Sequence, residues 1–218
     1  MSQMQVPALQ RLEAIEQLRR PLYKILLSGL ESHLGHIFYR KPPPQSGETK
    51  LLHLGCGDHH FEGWINADTY RFSDLIRKSR GLPDWMLDAS RPWNCDENYW
   101  DGIYTEHMLE HLDYRSVIVA LKEARRALKS GAWLRIVVPG LAQALGERSA
   151  ITQAEAVAQL TQTHGHLSVW DPDLMSAVLR EIGFHAVNVV SFQNGSDNAL
   201  IKDLPERQEQ SFYIEAQK

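Results

Sequence analysis

Cysteine is scarce in this sequence, and long apolar runs are absent. The two cysteines, Cys56 and Cys95, are too few for the disulfide framework that stabilises small secreted domains. No apolar run approaches the ~20 residues that span a bilayer, and no apolar stretch follows a basic start as in a secretory signal peptide. We therefore expect a cytoplasmic protein without a membrane partner.

An excess of positive charge is also missing. The formal net charge of -4 and the isoelectric point near 6.2 argue against a surface that binds nucleic acid. The apolar content of 43% and the charged content of 23% are those of a soluble globular protein. The 218 residues suffice for one domain with an additional segment. The expected partner is a small-molecule substrate, and a homodimer is compatible with the sequence.

The most informative stretch covers residues 51–68. The apolar run Leu51 to Leu54 predicts a buried strand, and Gly55 and Gly57 then allow a sharp turn that a ligand can approach closely. A second strand, 64–67, ends at Asp68. Because parallel strands place their carboxyl ends at one edge, the turn and Asp68 should face one crevice. A carboxylate there can accept both hydroxyls of a ribose.

The stretch lacks the third glycine of a dinucleotide-binding motif. His60 stands three positions after Gly57, where G-x-G-x-x-G requires glycine. Asp68 also follows the glycines sooner than the usual ~20-residue spacing of the acidic residue. An adenosine ligand without a pyrophosphate therefore fits better than a nicotinamide dinucleotide. A nicotinamide enzyme and an ordinary strand–turn–helix junction remain alternatives.

The rest of the chain alternates between strand and helix patterns. Further strands are predicted at 83–87, 100–104, 133–138, 186–192 and 211–216. Residues 8–36 are predicted to form two helices separated at Pro21. Further helices are predicted at 70–80, from Asp113 to a stop at Gly131, from a capping box of Thr152 and Glu155 to about Leu160, and from Asp171 to Gly183. Because no helical pattern separates the last two strands, they should be antiparallel neighbours. The prediction is an α/β domain over 46–218, with a mostly parallel sheet of seven strands, after an N-terminal helical cap over 1–45.

A second carboxylate, Asp88, closes the third predicted strand. It could accept a hydrogen bond from an adenine amino group at the same edge of the sheet. The sequence Asp-Ala-Ser at 88–90 equally suits an N-cap or a turn. Both roles are open at this point.

Residues 107–111 match H-x-x-E-H, a zinc-peptidase motif. That site requires a third protein ligand and a helix through the whole motif, whereas this stretch directly follows a strand. The pair His164 and His166 lacks a neighbouring carboxylate and makes a weak metal site. We predict no metal site. His107 and His111 are instead candidate general bases, since histidine titrates near neutral pH.

Four segments carry a family resemblance. Residues 52–57, 63–68, 101–112 and 123–131 resemble, in order and interval, the motif series of class I S-adenosylmethionine-dependent methyltransferases. More narrowly, they resemble the small-molecule branch of the methyltransferase type 11 kind, which is often linked with glycan biosynthesis. The resemblance covers roughly 48–217 and implies a Rossmann-like sheet of seven strands.

The resemblance also implies a cofactor, S-adenosyl-L-methionine, and the residues around it. Gly55, Cys56 and Gly57 would approach its methionine part, Asp68 would take the ribose hydroxyls, and Asp88 with Ala89 would contact the adenine. Thr105, Glu106 and His107 would border the methyl-transfer end. Two positions depart from the family pattern. His53 replaces an acidic residue that usually organises the amino-acid end of the cofactor, and His59 replaces a further glycine.

The functional expectation is a methyltransferase for a small molecule, with a sugar or glycan precursor as the candidate class. Positioning a nucleophile in line with the methyl group supplies much of the rate enhancement, and an alcohol acceptor also needs a base such as His107 or His111. The departures at His53 and His59 raise an alternative. In it, the chain is a degenerate methyltransferase-fold domain that acts as a cofactor-binding or partner subunit without turnover.

Overall fold

The computed structural model describes residues 7–18, 41–44, 47–69, 82–146, 153–158, 160–161 and 165–218. Its strands are β1 (Leu51–Leu54), β2 (Ile65–Asp68), β3 (Trp85–Met86), β4 (Trp100–Glu106), β5 (Leu128–Pro139), β6 (Ala186–Val190) and β7 (Ser211–Gln217). Its helices are α1 (Ala8–Leu18), α2 (Tyr114–Ala127), α3 (Leu141–Gly146), α4 (Gln153–Ala158) and α5 (Pro172–Ile182). Short 3-10 turns cover Leu109–His111, Asn198–Leu200 and Pro205–Gln210. Within these ranges, no helix combines the length and apolar character of a membrane span.

The seven strands form one sheet in the order β3-β2-β1-β4-β5-β7-β6. β7 is antiparallel to both of its neighbours, and the other pairs are parallel. The predicted α/β sheet with an antiparallel last strand is therefore confirmed. Because the parallel strands share one direction, the ends of β1, β2 and β4 lie together at one edge.

Helix α2 begins where the sequence predicts and ends earlier than predicted. The Asp113 carboxylate accepts from the Ser116 amide at 2.9 Å, which caps the helix. The predicted stop at Gly131 is wrong, because Leu128 already leaves helical geometry and pairs with Trp100 in the sheet. β5 therefore starts at Leu128 rather than at Trp133, and Gly131 lies inside the strand with φ +79°.

Helix α5 has both of its predicted ends. The Asp171 carboxylate accepts from the Leu174 amide at 2.7 Å, and Pro172 occupies the first turn. Gly183 ends the helix with φ +102°, the left-handed conformation that glycine adopts without strain. The capped helix presents Met175, Val178 and Leu179 to the core.

Helix α1 packs on the same core as the sheet. Ala8 and Leu12 are buried in the main apolar cluster. The Glu181 carboxylate accepts from the amides of Ala8 at 2.6 Å and Leu9 at 3.0 Å, so α5 caps the start of α1. The predicted helix after Pro21, the predicted helix at 70–80 and Thr152 of the predicted capping box lie outside the described residues. The division at residue 45 stays a prediction.

A buried ionic cluster joins β5, β7 and the segment before β7. Arg135 donates to Asp203 at 2.8 Å and to Glu215 at 2.7 Å, and all three side chains are fully buried. The two carboxylates also accept from backbone amides, Asp203 from Gln193 at 2.8 Å and Glu215 from Ser196 at 2.6 Å. These bonds hold residues 193–203 against the sheet.

Candidate functional site

The turn after β1 is fastened to β2. Gly55 and Gly57 adopt positive φ angles of +76° and +51°. The amides of Gly55 and Cys56 both donate to the Ala67 carbonyl, at 2.8 and 3.1 Å. The turn therefore sits directly beside the end of β2, where Asp68 lies.

Asp68 reaches back to this turn. Its carboxylate accepts from the Gly57 amide at 2.7 Å and from the Thr69 amide at 2.6 Å. A carboxylate at the end of β2, beside the glycine turn, is the type of acceptor that ribose hydroxyls require. The structure thus brings Gly57 and Asp68 together as predicted, and the arrangement fits an adenosine ligand.

The two glycines serve different purposes. A side chain at Gly55 would collide with Cγ of Met108, and its Cβ would lie 2.5 Å from the Met108 Cβ. A Cβ at Gly57 would meet nothing within 4 Å. The missing side chain at position 55 therefore makes room for Met108, whereas Gly57 leaves its face open to a ligand.

His53 and Cys56 are buried, and their predicted contacts with the cofactor stay predictions. His53 stacks on Phe61 with ring centroids 4.3 Å apart, and its Nδ1 has no hydrogen-bond partner among the described residues. Burial lowers the pKa of His53 to about 4, so its imidazole is neutral at physiological pH. Burial likewise raises the pKa of the Cys56 thiol to about 12, which keeps the sulfur protonated.

Asp88 closes a turn in the structure. Its carboxylate accepts from the Ser90 amide at 3.0 Å and pairs with Arg91 at 3.0 Å. Ala89 is buried, and its carbonyl accepts from the indole of Trp93 at 3.5 Å. The turn role, one of the two alternatives for Asp88, is therefore present, and the adenine contact of Asp88 and Ala89 stays a prediction.

Thr105 and Glu106 lie at the end of β4, beside the turn. Glu106 is buried, and its carboxylate accepts from the Leu204 amide at 3.2 Å and lies 3.7 Å from the guanidinium of Arg207. Burial raises the pKa of the Glu106 carboxyl. In this structure Glu106 thus positions residues 204–207, and its predicted cofactor contact, like that of Thr105, stays a prediction.

His107 has an unusual backbone at the end of β4. Its φ of +52° is left-handed, a conformation that is uncommon for residues other than glycine. Nε2 lies 2.7 Å from the Ser211 hydroxyl, and Nδ1 lies 3.6 Å from the Glu110 carboxylate. The helix that a zinc-peptidase motif requires does not form, because only Leu109–His111 is helical, as a 3-10 turn.

A cavity of about 580 Å³ opens beside His107, a size typical of small-molecule sites. We call it the edge cavity. Its polar lining includes His107, Glu110, His111, Gln143, His166 and Arg207. The structure therefore brings the two predicted bases, His107 and His111, to one cavity. That cavity opens at the same edge of the sheet as the glycine turn, because His107 follows β4, the neighbour of β1, and Met108 packs on Gly55.

The sequence reasoning missed Glu110 as a site residue. It is 2% exposed, and burial raises its pKa to about 8. Its place inside H-x-x-E-H is the signal in the sequence that points to it. Ser211 and Arg207 were also missed, because they come from distant segments that no local pattern connects to His107.

Comparison with known proteins agrees with this geometry. A sequence profile described as a methyltransferase domain matches residues 26–189. No curated protein sequence matches the chain. The fold is similar to an S-adenosylmethionine-dependent methyltransferase from Archaeoglobus fulgidus, with 19% identity, a TM-score of 0.54, and coverage of 91% of this chain and 100% of that chain.

Two further solved structures share the fold. A possible histamine N-methyltransferase from Thermotoga maritima has 17% identity, a TM-score of 0.55, and coverage of 79% of this chain and 84% of that chain. A putative methyltransferase of Haloferax volcanii, solved with the Trm112 activator, has 13% identity, a TM-score of 0.51, and coverage of 87% and 92%. The profile covers well over half of the chain. The chain therefore belongs to the methyltransferase domain family, with the fold of the S-adenosylmethionine-dependent enzymes.

Proposed function

We propose that the chain is an S-adenosylmethionine-dependent methyltransferase whose acceptor is a small polar molecule, with a sugar or glycan precursor as the leading class. One observation carries the proposal. The turn at Gly57, bonded to Asp68, and the edge cavity lie at the same carboxyl edge of the sheet, at the ends of the neighbouring strands β1 and β4. Direct methyl transfer requires a cofactor site and an acceptor site at a common edge of this kind.

The cofactor supplies a methyl group on a positively charged sulfur. The chain contributes position rather than covalent chemistry, which is an effective way to lower such a barrier. Asp68 accepts the ribose hydroxyls, and the backbone at Gly57 lets the ligand approach because no side chain intervenes. These groups would hold the cofactor at the edge of the sheet where the edge cavity also opens.

The acceptor is expected to carry hydroxyl groups, because the edge cavity is lined mainly by groups that form hydrogen bonds. Arg207 and Gln210 can donate, and Glu206 and Glu209 can accept. A hydroxyl must lose its proton as the bond to the methyl group forms. Among the predicted bases, His107 is the better positioned one, because Ser211 holds one ring nitrogen at 2.7 Å.

The degenerate-domain alternative is favoured by a specific observation. His53 stands where the family often carries an acidic residue, and burial keeps its imidazole neutral. It therefore offers no negative charge to the ammonium group of the cofactor. Under this alternative the domain binds the cofactor weakly or not at all and acts through a partner. A homodimer also stays a prediction.

Calorimetric titration with S-adenosylhomocysteine tests the proposal. We expect saturable one-to-one binding that weakens about 10- to 100-fold in Asp68→Ala, because hydrogen bonds to a charged group contribute about 1.5–3 kcal/mol. Asp96→Ala is the matched control, since this exposed carboxylate pairs only loosely with Lys41.

The outcomes separate the two functions. If the wild-type protein shows no binding at millimolar ligand, the enzyme proposal fails and the degenerate domain leads. Equal affinities in the wild-type protein and Asp68→Ala would show that the ligand binds elsewhere. If binding is normal, transfer of a labelled methyl group to a panel of hydroxyl compounds decides between catalysis and binding without turnover.

A further inference from the structure

Three metal-ligating side chains converge in the wall of the edge cavity. Glu110, His111 and His166 each place one ligand atom within 4.8 Å of the other two. His166 comes from a distant part of the chain, and the backbone holds it there. The amides of Leu167 and Ser168 both donate to the Glu110 carbonyl, at 2.7 and 3.1 Å.

The Glu110 carboxylate is the second, independent sign of a ligand. The residue is 2% exposed, and neither carboxylate oxygen has a hydrogen-bond partner among the described residues. The nearest basic group, Nδ1 of His107, lies 3.6 Å away, beyond good hydrogen-bond distance. Burying a carboxylate without hydrogen-bond partners is costly, and a cation bound to the Glu110 carboxylate would offset that cost.

The donor chemistry narrows the class of cation. Two imidazoles and one carboxylate suit zinc, iron(II), cobalt(II) or manganese(II), and leave coordination positions open for other ligands. The rings of His111 and His166 are 5.0 Å apart between centroids and nearly perpendicular, at 79°. In that orientation each ring can direct a nitrogen at the same ion from a different side.

We propose that Glu110, His111 and His166 bind one divalent transition-metal cation, which presents its open positions to the edge cavity. The cation would there coordinate a hydroxyl oxygen of the acceptor and hold it toward the methyl donor. The coordination of an acceptor rests on the proposed function, whereas the binding of the metal does not. His111 is then a ligand, and His107 alone remains a candidate base.

This site differs from the zinc-peptidase arrangement that the motif H-x-x-E-H suggests. That arrangement uses both histidines of the motif, one helical turn apart. Here the left-handed backbone at His107 breaks the helix, and His166 replaces His107 in the cluster. The sequence predicted no metal because a third ligand was not apparent, and the structure brings that third residue in from a separate segment.

Titration of the full chain with Co²⁺, followed by its visible absorption and by calorimetry, tests the site. We expect one equivalent to bind, with displacement by Zn²⁺. Glu110→Gln keeps the shape of the side chain and His166→Asn keeps a smaller polar group, and each should weaken Co²⁺ binding at least about tenfold. If Glu110→Gln does not fold, His111→Asn replaces it, because His111 is exposed.

A matched control excludes adventitious binding by surface histidines. The double variant His59→Asn/His60→Asn removes two adjacent exposed imidazoles outside the cluster and should bind Co²⁺ like the wild-type protein. The proposal is overturned if no stoichiometric Co²⁺ binds. It is also overturned if the cluster variants bind normally while the double variant does not.

Titration with S-adenosylhomocysteine on the same proteins separates the two proposals. Normal binding of this ligand without metal binding would refute the metal site and leave the methyltransferase proposal standing. Stoichiometric metal binding without S-adenosylhomocysteine binding would refute the methyltransferase proposal and leave the metal site standing.

Discussion

The buried imidazole of His53 should make the protein less stable as the pH falls from 7.5 to 5. In the unfolded chain His53 has the ordinary histidine pKa of 6.5, and in the folded protein burial lowers this pKa to about 4. Between these values the unfolded state binds a proton that the folded state rejects. The stability that His53 contributes is therefore complete above about pH 6.5 and is lost progressively toward pH 4.

The magnitude follows from the two pKa values. At about 1.4 kcal/mol per pKa unit, the difference between 6.5 and about 4 sets a limit of about 3 kcal/mol. At pH 5 the loss relative to pH 7.5 is about 2 kcal/mol. This is a substantial part of a typical domain stability of about 5–15 kcal/mol.

Urea unfolding of the wild-type protein and of His53→Leu at several pH values measures this loss. The 6 tryptophans give a fluorescence signal. Because other groups titrate equally in both proteins, the difference between the two profiles isolates His53. As the pH falls from 7.5 to 5, we expect the free energy of unfolding of the wild-type protein to decrease by about 2 kcal/mol more than that of His53→Leu. His60→Leu, a substitution at an exposed histidine nearby, is the control. Parallel profiles for the wild-type protein and His53→Leu would refute the reasoning.

The fold makes further predictions for urea unfolding. Gly55→Ala should lower the free energy of unfolding by about 3 kcal/mol, because the backbone is left-handed and the new side chain collides with Met108. Adding Met108→Ala should recover part of that loss. Gly57→Ala should lower the free energy of unfolding by only about 1 kcal/mol, because the new Cβ meets no other atom. Equal losses at the two glycines would contradict this explanation. Arg135→Met should lower the free energy of unfolding by about 3–5 kcal/mol, because two fully buried carboxylates lose the cation that pairs with them. A loss below about 1 kcal/mol would show that the fold tolerates these carboxylates without the cation.

Much of the fold follows from local patterns in the sequence. The apolar run of β1 and the caps at Asp113 and Asp171 reflect short-range chemistry, and the structure agrees with each. The start of β5 was misplaced for a physical reason. Leu128 fits the apolar face of α2 equally well, and only its pairing with Trp100, which is non-local, assigns it to the sheet.

The candidate site was less predictable, because its key contacts join distant segments. His107 and His111 could be chosen from the motif alone. Their surroundings could not be predicted, because the contacts are long-range. Ser211, which contacts His107, belongs to the last strand. His166 lies near Glu110 because the amides of the two residues after His166 donate to the Glu110 carbonyl. Nor does the sequence indicate that His53 stacks on Phe61.

The ionic cluster of Arg135 specifies how the antiparallel strands align. Arg135 and Glu215 are direct partners in the ladder of β5 and β7. A slip of one residue would turn one of these charges to the opposite face of the sheet, and a slip of two would leave both buried without each other. Apolar neighbours such as Ile136 and Ile214 tolerate such shifts far better. The cluster therefore favours one register between β5 and β7. Because β6 pairs with β7, the same register also sets the position of β6 in the sheet.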